Sequence, residues 1–93
     1  GFGNDEIPAD VPEALIPPNV IGVNDIGAGI LNLLVDASYE DTVAFYTNAI
    51  GEPQSTVTGS TIYMGIVDGK SVQVIVDDTG SSGIVVNLIV VPG

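Results

Sequence analysis

The sequence predicts an α+β fold of two layers, in which one helix packs on an antiparallel sheet of about four to five strands. Valine and isoleucine dominate the apolar residues, which favours sheet. Only residues 39–50 show a clear helical spacing of apolar side chains. Alternating segments separated by turn residues follow that helix, which is typical of an antiparallel meander. The predicted element order is therefore (β)-β-α-β-β-β, in a cystatin-like or related arrangement.

The chain divides into an extended, acidic, proline-rich lead-in over residues 1–19 and a single α+β domain over residues 20–93. The lead-in holds Pro8, Pro12, Pro17 and Pro18, and proline at this density opposes both helix and central strand. Four apolar lead-in residues could still lie along the surface of the domain; they are Ile7, Val11, Leu15 and Ile16. With 93 residues in all, the chain has room for only one core.

Two segments before the helix read as strand. Residues 20–23 predict a short strand, and residues 24–29 have the composition of a turn. Residues 30–36 then alternate as a second strand, with Leu31, Leu33 and Val35 on one face. The helix should follow at once, because Ser38 is a good N-cap with Asp41 three residues later. Gly51 is placed to end the helix at about residue 50.

Three strands are predicted after the helix. The first lies within residues 54–67 and is most regular over 61–67; the others cover 71–77 and 84–91. Asp68-Gly69 predicts a two-residue hairpin turn, since both residue types tolerate the positive φ angles of a type I′ turn. Residues 78–83 predict a longer turn.

Composition excludes several functions. Twelve acidic residues against the single base Lys70 give a net charge of −11, which excludes binding to a nucleic-acid backbone and opposes docking on anionic membranes. The chain has no Cys and no His, so it lacks a thiol nucleophile and the commonest general base. No apolar stretch approaches the roughly 18–20 residues of a membrane span. We therefore expect no enzyme, no cofactor and no metal site.

Carboxylates cluster in three places. Asp77-Asp78, with Asp68 in the neighbouring hairpin, could supply oxygen ligands to Ca²⁺, but Asp68 and Asp77 lie at opposite ends of one strand, about 20 Å or more apart. Turn formation explains them better. Asp5, Glu6 and Asp10 fit a solvated acidic segment, and Glu40-Asp41 fits the positive end of the helix dipole.

The last strand is apolar on both sides, although the outer face of a two-layer domain should be polar. The lead-in, a second copy, or a ligand or partner could cover that second face. The interface is expected among alternating apolar residues of two strands, without a decision on which parity faces the helix. These residues are Ile62, Met64, Ile66, Val86, Leu88 and Val90.

Four features together resemble small secreted or lipoprotein-anchored bacterial domains of unknown function. They are the acidic, proline-spaced residues 6–12, the Pro17-Pro18 step, the helix core Val43-x-Phe45-Tyr46 and the Asp68-Gly69-Lys70 turn. The resemblance implies a place outside the cytoplasm, whether secreted, periplasmic or lipid-anchored, and supplies no catalytic residues. The chain begins at Gly1 without Met, which suggests a trimmed start.

These observations predict a non-enzymatic extracytoplasmic accessory domain that acts through protein contacts, as a homodimer or with another protein. The alternative is a small-molecule or lipid-binding module with a pocket between the helix and a curved sheet. The sequence does not identify the ligand or partner.

Overall fold

The computed structural model describes residues 3–91, apart from the side chain of Ser82. Within them the chain forms one helix, α1, and six strands. The first two residues of the predicted lead-in, and Pro92 and Gly93 at the end of the predicted domain, lie outside the described part. The elements are β1 (Val20–Gly27), β2 (Ile30–Val35), α1 (Tyr39–Ile50), β3 (Ser55–Val57), β4 (Ser60–Val67), β5 (Lys70–Asp78) and β6 (Ile84–Val91).

The six strands form one antiparallel sheet in the order β1-β2-β6-β5-β4-β3. The β1–β2 hairpin and the β3–β6 meander meet where β2 pairs with β6, so α1 carries the chain from one half of the sheet to the other. The predicted α+β class with one helix on an antiparallel sheet is confirmed. The strand count of four to five was too low, and the cystatin-like detail is inexact, because the strand before the helix lies beside the last strand of the chain.

The predicted helix boundaries are confirmed, and local chemistry explains them. The Ser38 hydroxyl accepts a hydrogen bond from the Asp41 backbone N–H at 3.0 Å, which satisfies one of the free donors of the first turn. At the other end Gly51 has φ 121°, which lies in the left-handed region that favours glycine, and its N–H donates to the Thr47 carbonyl at 3.0 Å. The helix therefore begins and ends where the sequence changes its backbone preference.

Two-residue turns join β1 to β2 and β4 to β5. Asp68 and Gly69 have φ angles of 52° and 76°, as predicted for a two-residue turn of type I′. The turn after β1 is shorter than predicted: β1 continues to Gly27, and only Ala28 and Gly29 turn the chain. At Gly29 (φ 82°) a Cβ atom would lie 2.3 Å from the Val90 carbonyl oxygen, so glycine is required for this close approach to β6.

One face of the sheet carries the core. Alternate residues of the four central strands point toward α1, and the tyrosines Tyr46 and Tyr63 fill the space between helix and sheet with no exposed surface. The tyrosine rings stand 6.1 Å apart. The Tyr63 hydroxyl donates to the Val43 carbonyl at 2.8 Å, so the polar end of this buried ring is satisfied. We call this side the covered face. Its buried strand residues are Leu31, Leu33, Val35, Thr61, Tyr63, Val67, Val72, Val74, Val76, Ile84, Val86, Leu88 and Val90.

The lead-in belongs to the same covering layer as the helix. Val11 is 8% exposed and Leu15 is fully buried, and both belong to the core beneath α1. The Tyr46 hydroxyl donates to the Leu15 carbonyl at 2.8 Å. Further along, Lys70 donates to the Asp10 carbonyl from the start of β5. The lead-in is therefore a structural part of the domain. Of the three candidates for covering the second face of the sheet, the structure rules out the lead-in, because Val11 and Leu15 pack on the face that carries the core.

Candidate functional site

The second face of the sheet is apolar over most of its width and lies away from α1. We call it the open face. The strand register brings its side chains into rows: Ile62 lies opposite Ile75, and Ile89 lies opposite Ile30. Ten apolar side chains share this face, and they come from five strands. They are Ile30, Leu34, Val57, Ile62, Met64, Ile66, Ile75, Val85 and Ile89, with Val91 at the end of β6.

Several of these side chains are strongly exposed. Ile66 is 75% exposed, Val57 62%, Met64 55% and Val91 54%. Single exposed apolar residues are common on proteins, but a contiguous group on one flat surface marks an interaction site. The open face is therefore the strongest candidate for a functional surface in the described residues.

The six residues predicted for the interface lie on opposite faces. Ile62, Met64 and Ile66 lie on the open face, as the hypothesis requires. The other three, Val86, Leu88 and Val90, point into the core and are at most 4% exposed. They are corrected to core residues, because the register pairs Val86 with Val76 and Leu88 with Val74 on the covered face. The two triplets have the same pattern in sequence, and only strand pairing separates them.

The residues of β6 that do reach the open face are Val85, Ile89 and Val91, which alternate with the three buried residues. They were not predicted as interface residues. Ile75 in the middle of β5 and Ile30 in β2 were also missed as interface residues. Their signal is the alternation itself: each is the apolar residue opposite in parity to the buried valines and leucines of its strand. That alternation predicts the open-face residues of every strand once it is known which alternate residues of one strand face the helix.

A polar strip crosses the apolar surface near its middle. Asn87 on β6 lies directly opposite Asn32 on β2, and the Asn87 amide nitrogen donates to the Asn32 amide oxygen. Asn24 on β1 continues the row, where its amide oxygen accepts from the Gly3 backbone N–H at 2.7 Å. Each amide of this strip keeps further hydrogen-bonding capacity. A partner that covers the open face must therefore meet a polar row as well as apolar side chains.

Charge is nearly absent from the open face. Among the described strand residues that point to it, Asp77 is the only charged one, and it lies opposite Ser60 near the C-terminal end of β5. Asp25 in β1 and Asp78 in β5 have the parity of the covered face, and the remaining carboxylates lie in the lead-in, in loops and turns, and on the first turn of α1. This distribution matters in a chain of net charge −11, because like charges would otherwise oppose the approach of a second copy.

The carboxylate clusters serve local structure. Asp78 accepts from the Gly80 backbone N–H at 2.9 Å, which is the turn-forming contact that the sequence favoured. Asp5 accepts from the Asp25 backbone N–H at 2.9 Å and so holds the lead-in against the edge of β1. Across the residues that can be described, no group of three or more potential metal ligands comes together.

Two tyrosines are the groups whose titration the fold changes most clearly. Burial raises the pKa of Tyr46 far above its ordinary value of 10.0. Burial also raises the pKa of Tyr63, against a smaller opposing effect of its hydrogen bond to Thr47. The two hydroxyls donate to the backbone carbonyls of Leu15 and Val43, respectively, so both tyrosines contribute to the packing of the core.

The predicted alternative requires a pocket between the helix and the sheet. The buried side chains of Tyr46, Tyr63 and Leu15 occupy that space. A cavity of about 270 Å³ lies instead on the outer flank of α1, beside Pro17 and Pro18. In the part of the chain that the structure describes, no helix has the length and apolar character needed to cross a membrane.

Comparison with known proteins gives no relatives: no family model matches the chain, and no curated protein and no solved structure is significantly similar to it.

Proposed function

We propose that this chain is a non-enzymatic accessory domain that acts through protein contacts, with its open face packed against the open face of a second copy. The observation that carries the proposal is the contiguous apolar surface formed by β2, β3, β4, β5 and β6, on which Ile66 and Val57 are the most exposed side chains. A sheet with a helix on one side is stable as two layers, and a second sheet on the other side completes a sandwich.

Charge favours a second copy as the occupant. Any two copies carry −11 each and repel at a distance, so a surface on which they meet must be poor in charge. The open face meets this requirement, since Asp77 is the one charged strand residue described there. The unfilled amide positions of Asn32 and Asn87 could hydrogen-bond to the same residues of the other copy across a two-fold axis.

The size of the face sets the expected strength of the dimer. Six strands at about 4.8 Å spacing, with about eight residues at roughly 3.3 Å rise, give a face of about 24 by 26 Å. That is roughly 600 Å² per copy, or about 1,200 Å² in total, which is the lower end for specific protein interfaces. We therefore expect a dimer with a Kd in the micromolar range.

The proposed location is outside the cytoplasm, whether secreted, periplasmic or lipid-anchored in the full-length form. Its support is the resemblance of the lead-in, helix core and hairpin to small bacterial domains of that kind. The absence of Cys and His from the sequence supports a role in binding rather than catalysis.

The test is molar mass in solution, by size-exclusion chromatography with light scattering over a dilution series. We expect dimer at high concentration and monomer below the Kd. Ile66→Asp places a charge on the open face and should remain monomeric at every concentration, with an unchanged far-UV circular dichroism spectrum.

Ile21→Asp is the matched control. Ile21 is 61% exposed, close to the exposure of Ile66, but it lies at the outer edge of β1 beside Asn4 and Asp5. This variant should dimerise as the unmodified chain does. A chain that stays monomeric to about millimolar concentration, or a dimer that Ile21→Asp disrupts as much as Ile66→Asp does, would contradict the proposal.

A further inference from the structure

A cavity of about 270 Å³ opens on the covered side of the domain, between the lead-in, the end of β2 and one flank of α1. Its apolar walls include the rings of Pro17, Pro18 and Phe45 and the methyl group of Ala37. Polar groups of Asp41 and Asn48 lie on the helix side of the same cavity. An apolar concave surface with a few polar groups on one side is the usual composition of a small-molecule site.

Hydrogen bonds hold the walls of this cavity in place. The Tyr46 hydroxyl donates to the Leu15 carbonyl at 2.8 Å and ties the lead-in to the helix just before Pro17. The Asp36 backbone N–H donates to the Asn19 carbonyl at 2.8 Å and ties the end of the lead-in to the end of β2. Between these two contacts, the rings of Pro17 and Pro18 fix the φ angles of the backbone.

The aromatic wall is held as well. The Phe45 ring packs edge-on against the buried Tyr46 ring, with centroids 5.0 Å apart and an interplanar angle of 87°. A site whose walls are already ordered loses little conformational entropy when a ligand enters. The cavity is therefore a preformed site between three elements of the fold.

Charge determines which ligand fits. Asp41 contributes a carboxylate to the cavity, and none of the residues that line it is basic. The one base of the chain, Lys70, donates to the Asp10 carbonyl at the start of β5. An anion would meet the Asp41 carboxylate and the field of a chain with net charge −11. A cation would be attracted by both.

We infer that this cavity binds a small organic cation made of one apolar or aromatic ring and an ammonium or guanidinium group. The ring lies against Pro17, Pro18 and Phe45, and the cationic group lies at Asp41. The volume is slightly below the roughly 300 Å³ at which drug-sized pockets begin, so the site takes a single ring with a short chain and excludes a long acyl chain. This inference does not depend on the proposed dimer, because the open face lies on the other side of the sheet.

The experiment titrates phenethylammonium chloride into the ¹⁵N-labelled chain and follows amide chemical shifts in about 150 mM NaCl, which screens the general field of the protein. We expect saturable shifts confined to the amides around Ala37, Asp41, Phe45 and Asn48. Phenethyl alcohol, which has the same ring without the charge, should bind about threefold to fivefold more weakly. Phenylacetate should not bind.

Two matched variants separate a site from general attraction. Asp41→Asn removes the carboxylate of the cavity and should make the ammonium and the alcohol bind equally. Glu40→Gln removes one charge from the neighbouring position on the same helical turn, which does not line the cavity, and should keep the preference for the ammonium. The inference is overturned if shifts do not saturate, if they spread over the acidic surface, or if both variants change the preference to the same extent.

Discussion

The two faces of the sheet have similar amino acids but differ in burial. Both are rich in valine, isoleucine and leucine, yet Leu88 on the covered face has no exposed surface while Ile66 on the open face is 75% exposed. The covered face meets α1 and the lead-in, and the hydroxyls of Tyr46 on α1 and Tyr63 on β4 donate to backbone carbonyls between these layers. The open face has no such layer over it, and the lead-in reaches it at its β1 edge, where Gly3 donates to Asn24. The hydrophobicity of a sheet face therefore does not by itself predict whether that face is buried or exposed.

The strongest test of this comparison places the same charge on adjacent residues of β6. Leu88→Asp buries a carboxylate in the core and should cost more than about 4 kcal/mol, enough to unfold a domain of this size. Ile89→Asp puts the carboxylate on the open face and should leave a folded monomer. Far-UV circular dichroism and urea denaturation distinguish the two results. Equal destabilisation by both substitutions would show that the open face is also buried in the folded chain.

A second test uses the buried tyrosines of the covered face. Burial raises the pKa values of Tyr46 and Tyr63 above the ordinary value of 10.0, so the folded state retains these protons where the unfolded state loses them. Their contribution is fully present below pH 10.0 and is lost as the pH rises above it. Tyr46 should therefore lower the free energy of unfolding by about 1.4 kcal/mol per pH unit above pH 10.0, and Tyr63 should lower it further.

The measurement is urea denaturation at intervals between about pH 8 and 11.5, a range that brackets the ordinary tyrosine pKa. Tyr46→Phe serves as the control, since it removes one of the two hydroxyls and should reduce the slope. The same slope in Tyr46→Phe and in the unmodified chain would assign the alkaline loss to other groups.

A third test concerns the tightness of packing under the helix. A Cβ atom on Gly65 in β4 would lie 2.9 Å from the Ile50 Cγ2 atom at the end of α1. Gly65→Ala should therefore cost about 1–2 kcal/mol in free energy of unfolding, and Ile50→Leu, which removes that methyl group, should recover part of it in the double variant. Ser71→Val adds volume on the exposed open-face side of β5 and should change stability by less than about 0.5 kcal/mol. A Gly65→Ala variant as stable as Ser71→Val would mean that the helix end is not in contact.

The smallest expected effect is that of salt, and it tests where the charges lie. Twelve acidic residues repel one another with one base to offset them, so screening should stabilise the fold. Raising NaCl from about 20 to about 500 mM should increase the free energy of unfolding by about 1 kcal/mol and strengthen the dimer, because the carboxylates lie off the open face. Thermal unfolding and light scattering at both concentrations measure this. Weaker dimerisation in high salt would indicate that ionic contacts, and not apolar ones, join the copies.

Local chemistry made the helix and one hairpin predictable. Ser38, Gly51 and the pair Asp68-Gly69 each have a backbone preference that acts within a few residues, and the structure agrees at all three places. The β1 hairpin and β3 were harder. Ala28 takes φ 57° without being a typical turn residue, and β3 has only three residues, too few for alternation to show. The strand count was therefore underestimated after the helix, where β3 was missed, whereas before the helix both strands were predicted and β1 only proved longer than expected.

The candidate site was harder to predict than the helix or the hairpin, because its residues are brought together by long-range strand pairing. Met64 and Leu88 have equivalent places in two alternating strands, and either parity of a strand can face a helix. The pairing of β4 with β5 and of β5 with β6 fixes all parities together, once the helix contacts one of these strands. The buried place of the lead-in was also hidden, because proline-rich, acidic segments are usually solvated.

The sequence by itself determined the class of fold, the limits of the helix, the tight turn at Asp68-Gly69 and the presence of more apolar strand surface than one layer of helix can cover. These properties follow from local backbone preference and from the number of apolar residues, which do not depend on what the chain meets in space. Only the tertiary structure decided that β2 pairs with β6, that Leu15 lies in the core and that Ile66 faces outward. Those results depend on which surface loses more contact with water when the elements pack, and that is a property of the assembled chain.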